Sequence, residues 1–178
     1  MRKSLVLVVI TLLGYLFHVC VMPYLGIFGV VPNLLYVIIA VVTVAYGKLR
    51  ALWVGLAYGL MMEIMLPTIP FMNLALYSLT TLFCSFGFAD KPLKTLEYER
   101  AVRKDVKVTP AWLRTLLCAI TNTAIFEAVN VTYIYLGGGA VTWVHIRNAL
   151  LTVILTAVLA LILMFPVRRL IFGRKRQA

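Results

Sequence analysis

Six long apolar runs, parted only by short basic, glycine or proline breaks, constrain this chain more than any motif within it. They cover roughly residues 4–22, 30–46, 51–66, 69–89, 112–136 and 148–166. A helix that crosses a bilayer needs about 17–25 mostly apolar residues, because each adds about 1.5 Å across a hydrocarbon core about 30 Å thick. The chain is 63% hydrophobic over 178 residues, whereas a soluble domain is about 45–50% apolar. The excess does not fit inside one water-soluble core. The reading is an all-α integral membrane protein, a single polytopic domain over 1–178 with six transmembrane helices. The third run is the shortest. It crosses only with local thinning, or by extending into the turn at Pro67 and Pro70.

The breaks have chemical causes. MRKS followed by LVLVVITLLGYLFHVCV is longer in its apolar part than a signal peptide's core, with no small-residue cleavage site after it. A retained first helix is expected, ended by Pro23, Gly26 and Gly29. Pro32 suits the first turn of the second helix, where a missing N–H costs nothing. Gly47 punctuates before Lys48. Thr109 is the expected N-cap of the fifth helix, with Pro110 at its first position and Trp112 in the aromatic belt. Gly137, Gly138 and Gly139 end that helix.

The net charge of +11 comes from basic residues held in the breaks. With a cytoplasmic N-terminus, sixteen of the 17 Lys and Arg fall on the cytoplasmic side, and Arg147 alone falls outside. That asymmetry is the positive-inside signature. It predicts both termini in the cytoplasm, N-in and C-in. Loop 90–111 is mildly basic, and reads either as a solvated linker or as a docking site for a cytoplasmic partner. Tail 167–178 gathers Arg168, Arg169, Arg174, Lys175 and Arg176 beside the last helix, where anionic lipid headgroups attract them. Topology accounts for these charges without nucleic acid.

Motifs of chemistry are missing. Cys20, Cys84 and Cys118 are odd in number, widely spaced and set in apolar runs, so packing thiols are expected rather than a disulfide or metal site. His18 and His145 lie on different helices, without HExxH or an i, i+4 pair. No GxSxG, P-loop or GxGxxG occurs, and Asp90 and Asp105 both lie in the loop. The expectation is no enzyme and no cofactor.

The polar residues inside the runs carry what remains. Glu63 lies about 18 Å along the third helix from residue 51, Glu127 about 22 Å along the fifth, and His18 about 21 Å along the first. Asn73, His145, Arg147 and Asn148 begin from the outer side. The expected outer-leaflet cluster is therefore Glu63, Asn73, Glu127, Asn130, His145 and Arg147. Ala51, Gly55, Gly59 and Glu63 recur every four residues on one face, and small residues there let another helix approach closely. Thr123, Glu127 and Asn130 form a second stripe. An ion pair of Arg147 with Glu127 or Glu63 would offset burial. The alternatives are a wet pocket or partner cleft, and last a two-carboxylate catalytic site.

The run from Pro32 to Gly87 resembles the rod shape-determining protein MreD family. PNLLYVIIAVV, YGKLR, GLAYGLMMEI and NLALYSLTTLFCSFG carry the likeness, at Pro32, Asn33, Gly47, Gly55, Gly59, Glu63, Asn73, Tyr77 and Gly87. Glu63 stands where aspartate is common, Asn73 stands where glycine is common, and loop 90–111 is longer than the family's. The resemblance implies a non-enzymatic scaffold of cell-wall elongation in the bacterial cytoplasmic (inner) membrane. Its implied partners are an MreC-like single-span protein, and through it MreB, a RodA-like polymerase and a class B penicillin-binding protein. The family is similar in fold to the substrate-binding subunit of energy-coupling-factor transporters, which supplies the alternative, a vitamin or solute transporter. Those subunits usually dock through an alanine ladder on the first helix, and SLVLVVITLLGYLFHVCV contains no alanine.

Overall fold

The computed structural model describes residues 2–65, 70–89 and 109–172. Among them run six α-helices: α1 (Arg2–Cys20), α2 (Leu34–Tyr46), α3 (Lys48–Met65), α4 (Met72–Phe88), α5 (Ala111–Leu136) and α6 (Trp143–Phe172). A short 3-10 helix, Met22–Leu25, follows α1. The described residues form no strand beyond one isolated bridge between Ile27 and Val30. Two helices, α5 and α6, are long and apolar enough to cross a membrane, while α1, α2 and α4 have shorter apolar stretches. Pro67, most of loop 90–111 and the tail residues Arg174, Lys175 and Arg176 lie outside the described residues.

The fold is organised around α2, which packs against all five other helices. Every residue from Leu34 to Val44 is buried. Its sequence, LLYVIIAVVTVAY, has no polar face to show to a surface. Thr43 satisfies its own hydroxyl on the Ile39 carbonyl (2.8 Å). Around α2 stand two closely packed pairs, α3 with α4 and α5 with α6, and α1 lies against α2, α3 and α6. Gly14 lets α1 come close, since a Cβ there would meet the side chains of Ile38 and Tyr58.

Several helix ends differ from the sequence expectation, each for a local reason. α2 begins at Leu34, because Asn33 takes the N-cap and accepts from the Tyr36 N–H. Pro32 therefore stands before the cap and not in the first turn. Pro110, not Thr109, occupies the cap position of α5, and no side chain caps that end. The sixth helix starts at Trp143, so Arg147 lies in its second turn and not at its head. The cause is a local box: the Thr142 N–H donates to Nδ1 of His145 (3.2 Å), and the Thr142 hydroxyl lies 2.9 Å from that nitrogen. This is half of a Thr-x-x-Glu capping box, with histidine in the glutamate's place, since the His145 N–H donates to the Thr142 carbonyl (3.0 Å) and not to its hydroxyl. α6 then continues through Pro166.

The glycine stops behave as expected. Gly138 has φ of 79°, and the Gly138 and Gly139 N–H groups donate to Tyr135 O (3.1 Å) and Ile134 O (3.0 Å). That is a Schellman ending for α5. Gly47 has φ of 84°, which allows α2 to turn into α3 through one residue.

Candidate functional site

Four helices meet at a buried aromatic and amide node. Asn33 is its centre. Its Oδ1 accepts from Tyr36 N–H (3.4 Å), its own N–H donates to Thr156 Oγ1 on α6 (2.9 Å), and its Nδ2 donates to the Tyr77 hydroxyl on α4 (3.3 Å). Tyr36 stacks on Tyr77 with ring centroids 4.7 Å apart and planes 16° from parallel. Phe126 of α5 stands edge-on to Tyr36 (5.5 Å) and tilted to Tyr77 (5.6 Å). The Tyr36 hydroxyl lies 3.3 Å from Thr80 Oγ1. Asn33, Tyr36, Tyr77, Thr80 and Thr156 are all buried. Each such aromatic pair adds roughly 0.5–1.5 kcal/mol beyond its buried area. A buried amide with its groups satisfied also fixes one arrangement of helices over others. The next residue, Glu127, is half-buried, while the Thr152 hydroxyl on α6 donates to the Asn148 carbonyl (3.0 Å).

The α3 face of Ala51, Gly55, Gly59 and Glu63 turns to α4. A Cβ on Gly55 would lie 2.7 Å from Thr81 Oγ1, and one on Gly59 would lie 2.8 Å from the Leu74 Cα. The two backbones therefore touch, and only glycine permits it. Glu63 closes this contact. Its two oxygens accept from the backbone N–H groups of Phe71 (2.7 Å) and Asn73 (3.0 Å). Those amides stand at the start of α4, where a helix leaves its first N–H groups without an intrahelical partner and favours a negative charge. Phe71, the N-cap residue, has φ of 64° and no side-chain cap of its own. The cap is thus supplied by the preceding helix.

The other predicted polar residues are held in separate local pairs. Glu63 is joined to Asn73 through the backbone, and His145 to Thr142. The Arg147 guanidinium donates to Asn148 Oδ1 (3.3 Å). The expected ion pair of Arg147 with Glu63 or Glu127 does not form: the α4 amides engage Glu63, and Asn148 engages the guanidinium. Asn130 is half-buried on α5, and Arg168 and Arg169 lie near the end of α6. A second buried polar contact joins Asn122 to Cys118, with Nδ2 3.5 Å from Sγ, and Cys84 packs in the same cluster. Among the described residues no three potential metal ligands come together.

Sequence reasoning missed Tyr36, Thr80, Phe126 and Thr156. A signal existed for Tyr36, which follows the capping Asn33 by three residues. None existed for Thr156, which is 123 residues away from its partner. Comparisons with protein-family models, curated proteins and solved structures find no match to this chain.

Proposed function

We propose that the chain is a multi-pass protein of the bacterial cytoplasmic membrane, with six spans and both termini inside. Apart from the two long helices, the outer surface supports this. Leu5 and Leu13 of α1, Phe83 and Phe86 of α4, and Ile154 and Ile162 of α6 are all exposed. Apolar surface on that scale is unsuited to water. The α2 helix has 13 residues, about 20 Å at 1.5 Å each. Residues 30–33 lead into it, and Val30, Pro32 and Asn33 are buried. Irregular backbone at membrane depth is tolerated where protein surrounds it. A reporter fused at Gly138 is expected to read as extracytoplasmic, and a cytoplasmic reading overturns this topology.

Within that membrane the chain acts as a non-enzymatic scaffold of cell-wall elongation, required for rod shape. It binds an MreC-like single-span protein and through it the peptidoglycan synthases and MreB. One observation carries this reading. Most positions of the family resemblance, scattered through the sequence, lie where α4 packs on α2 and α3. Asn33 bonds Tyr77, Gly55 and Gly59 press on α4, Glu63 caps α4, and Gly47 makes the α2–α3 turn. Gly87 does not share in this, since a Cβ there would meet nothing within 4 Å. Depletion is expected to round the cells. Crosslinking in intact membranes is expected to capture a single-span protein with a large extracytoplasmic part. Rods of normal width after depletion, or no such partner, overturn the reading. The transporter alternative needs Glu63, Glu127 and Arg147 around one pocket, and the separate partners of Glu63 and Arg147 do not favour it.

A further inference from the structure

The inner face of α5 outruns the helices that cover it. Ala119, Asn122, Phe126, Val129 and Tyr133 recur at steps of three and four residues, so they share one face. Ala119 and Asn122 are fully buried, and Phe126 packs against Tyr36 and Tyr77. One turn further out the same face opens. Val129 is 37% exposed and Tyr133 46%. No residue of α5 beyond Thr123 is buried. Across the hairpin α6 repeats the pattern, since its buried line of Thr152, Thr156, Ala160 and Met164 has no buried member before Thr152.

Glu127 stands at the rim of that opening. It is half-buried, and so is Asn130 one turn on. It lies about 22 Å along its helix, inside a hydrocarbon core about 30 Å thick. A carboxylate at that depth is costly unless a cation or a donor answers it. Among the described residues no cation does. Arg147, the one basic residue of the outer side, gives its guanidinium to Asn148 Oδ1. The Thr152 hydroxyl has a single proton, and that proton goes to the Asn148 carbonyl.

We propose that the open face of α5 seats one transmembrane helix of a partner protein, held by a lysine or arginine that pairs with Glu127. Charge complementarity selects this occupant. Acyl chains bring neither a cation nor a donor to the carboxylate. A second copy of this chain brings only Arg147 on its outer side, and Asn148 already holds that guanidinium. From Phe126 to Tyr133 the seat is about 10 Å long, or two helical turns. Val129 and Tyr133 supply its packing surface, and the ion pair sets depth and register. The proposal rests on the membrane placement and scaffold reading above. It adds the face and the side-chain chemistry by which the partner is held.

The test uses the full chain in intact membranes, with photoreactive benzoylphenylalanine placed at Tyr133 and, as a control, at Ile162 on the exposed side of α6. Mass spectrometry reads the peptide joined to each. Tyr133 is expected to join a transmembrane peptide with a lysine or arginine within about two turns of the joined residue, and Ile162 is not. Glu127→Gln is expected to lower the yield about tenfold, while Glu127→Asp, which keeps the charge, retains most of it. Val129→Trp fills the seat and leaves Glu127 in place, so it reads out even where Glu127→Gln does not fold. It is expected to lower the yield by a similar factor. An unchanged yield in Glu127→Gln or in Val129→Trp overturns the proposal. So does a joined peptide without a basic residue, a joined second copy of this chain, or joined lipid alone. A partner that the tagged chain retains but that joins only at other faces sinks this seat and leaves the scaffold reading standing. A chain that retains no partner sinks both.

Discussion

α1 and α2 pack against each other, and both are strings of leucine, valine and isoleucine, yet one is a surface helix and the other is enclosed. α1 leaves Leu5 67% and Leu13 60% exposed, while no residue of α2 from Leu34 to Val44 exceeds 4%. Apolar character takes a helix out of water but does not say which side of it meets protein. In the proposed membrane setting the hydrophobic effect does not press helices together, so packing and interhelical hydrogen bonds decide. α2 has both, through the Tyr36 stack and the Asn33 cap. α1 packs on α2 where Gly14 faces Ile38, and its interhelical hydrogen bond, from Tyr15 to the Met61 carbonyl, goes to α3 instead.

The sharpest way to break this comparison is to remove the same kind of bulk from each helix. Tyr36→Ala strips the stack from Tyr77 and Phe126, and is expected to destabilise by about 3–5 kcal/mol. Leu13→Ala on the open face of α1 is expected to cost no more than about 0.5 kcal/mol. A thiol-reactive dye measures both during heating in detergent, because Cys84 and Cys118 are buried until the helices separate. Similar losses in the two variants would mean that α1 is packed as tightly as α2.

Adding bulk gives the next largest effect. Gly59→Leu forces side-chain atoms against the Leu74 backbone, where a Cβ alone would sit 2.8 Å from the Cα. Overpacking of this kind costs about 1–3 kcal/mol. Gly87→Ala, on the α4 side that meets nothing within 4 Å, is the matched control. It is expected to be neutral or slightly stabilising. Loss of stability at Gly87 would reveal a neighbour on that side.

Glu63 tests the helix end next to that contact. Glu63→Leu removes both acceptors from the Phe71 and Asn73 amides, and is expected to cost about 1–2 kcal/mol, the range of a lost N-cap. Glu63→Gln keeps one acceptor oxygen but turns an NH2 toward the other amide, so it should fall between Leu and wild type. Equal thermal midpoints for Gln and Leu would mean that the charge, not the acceptor geometry, holds the turn.

Much of this was legible before any coordinates. The six helices, the glycine stops and the small-residue face of α3 follow from periodicity and turn chemistry, which are local. What was not legible is non-local. Glu63 reads in sequence as a misplaced acid, because its partners are backbone amides beyond two prolines. Asn33 reads as a helix start, and nothing in its neighbourhood names Tyr77 or Thr156. The rise per residue gives the depth of Glu63 and Glu127 along their helices, but depth says nothing of azimuth, and azimuth decides which side chains meet. The start of α6 was missed because a histidine stood where the familiar capping box has glutamate.

The turn that joins α1 to α2 yields the smallest effect, with the opposite sign. Ile27 and Val30 exchange both backbone hydrogen bonds at 3.0 Å, and between them Phe28 has φ of 54° and Gly29 φ of 77°. Positive φ at both central residues is a type I′ turn, which favours Asn-Gly. Phenylalanine in that conformation costs roughly 1–2 kcal/mol relative to a residue that adopts it freely. Its ring is 82% exposed, so little packing offsets the strain. Phe28→Asn is therefore expected to stabilise by about 0.5–1 kcal/mol. Tyr24→Asn removes a ring that is 88% exposed without touching the turn, and should change nothing. A gain in both variants would trace the effect to the lost aromatic surface. A gain confined to Phe28 would trace it to the backbone, and would leave α2 seated by its own contacts rather than by the chain that leads into it.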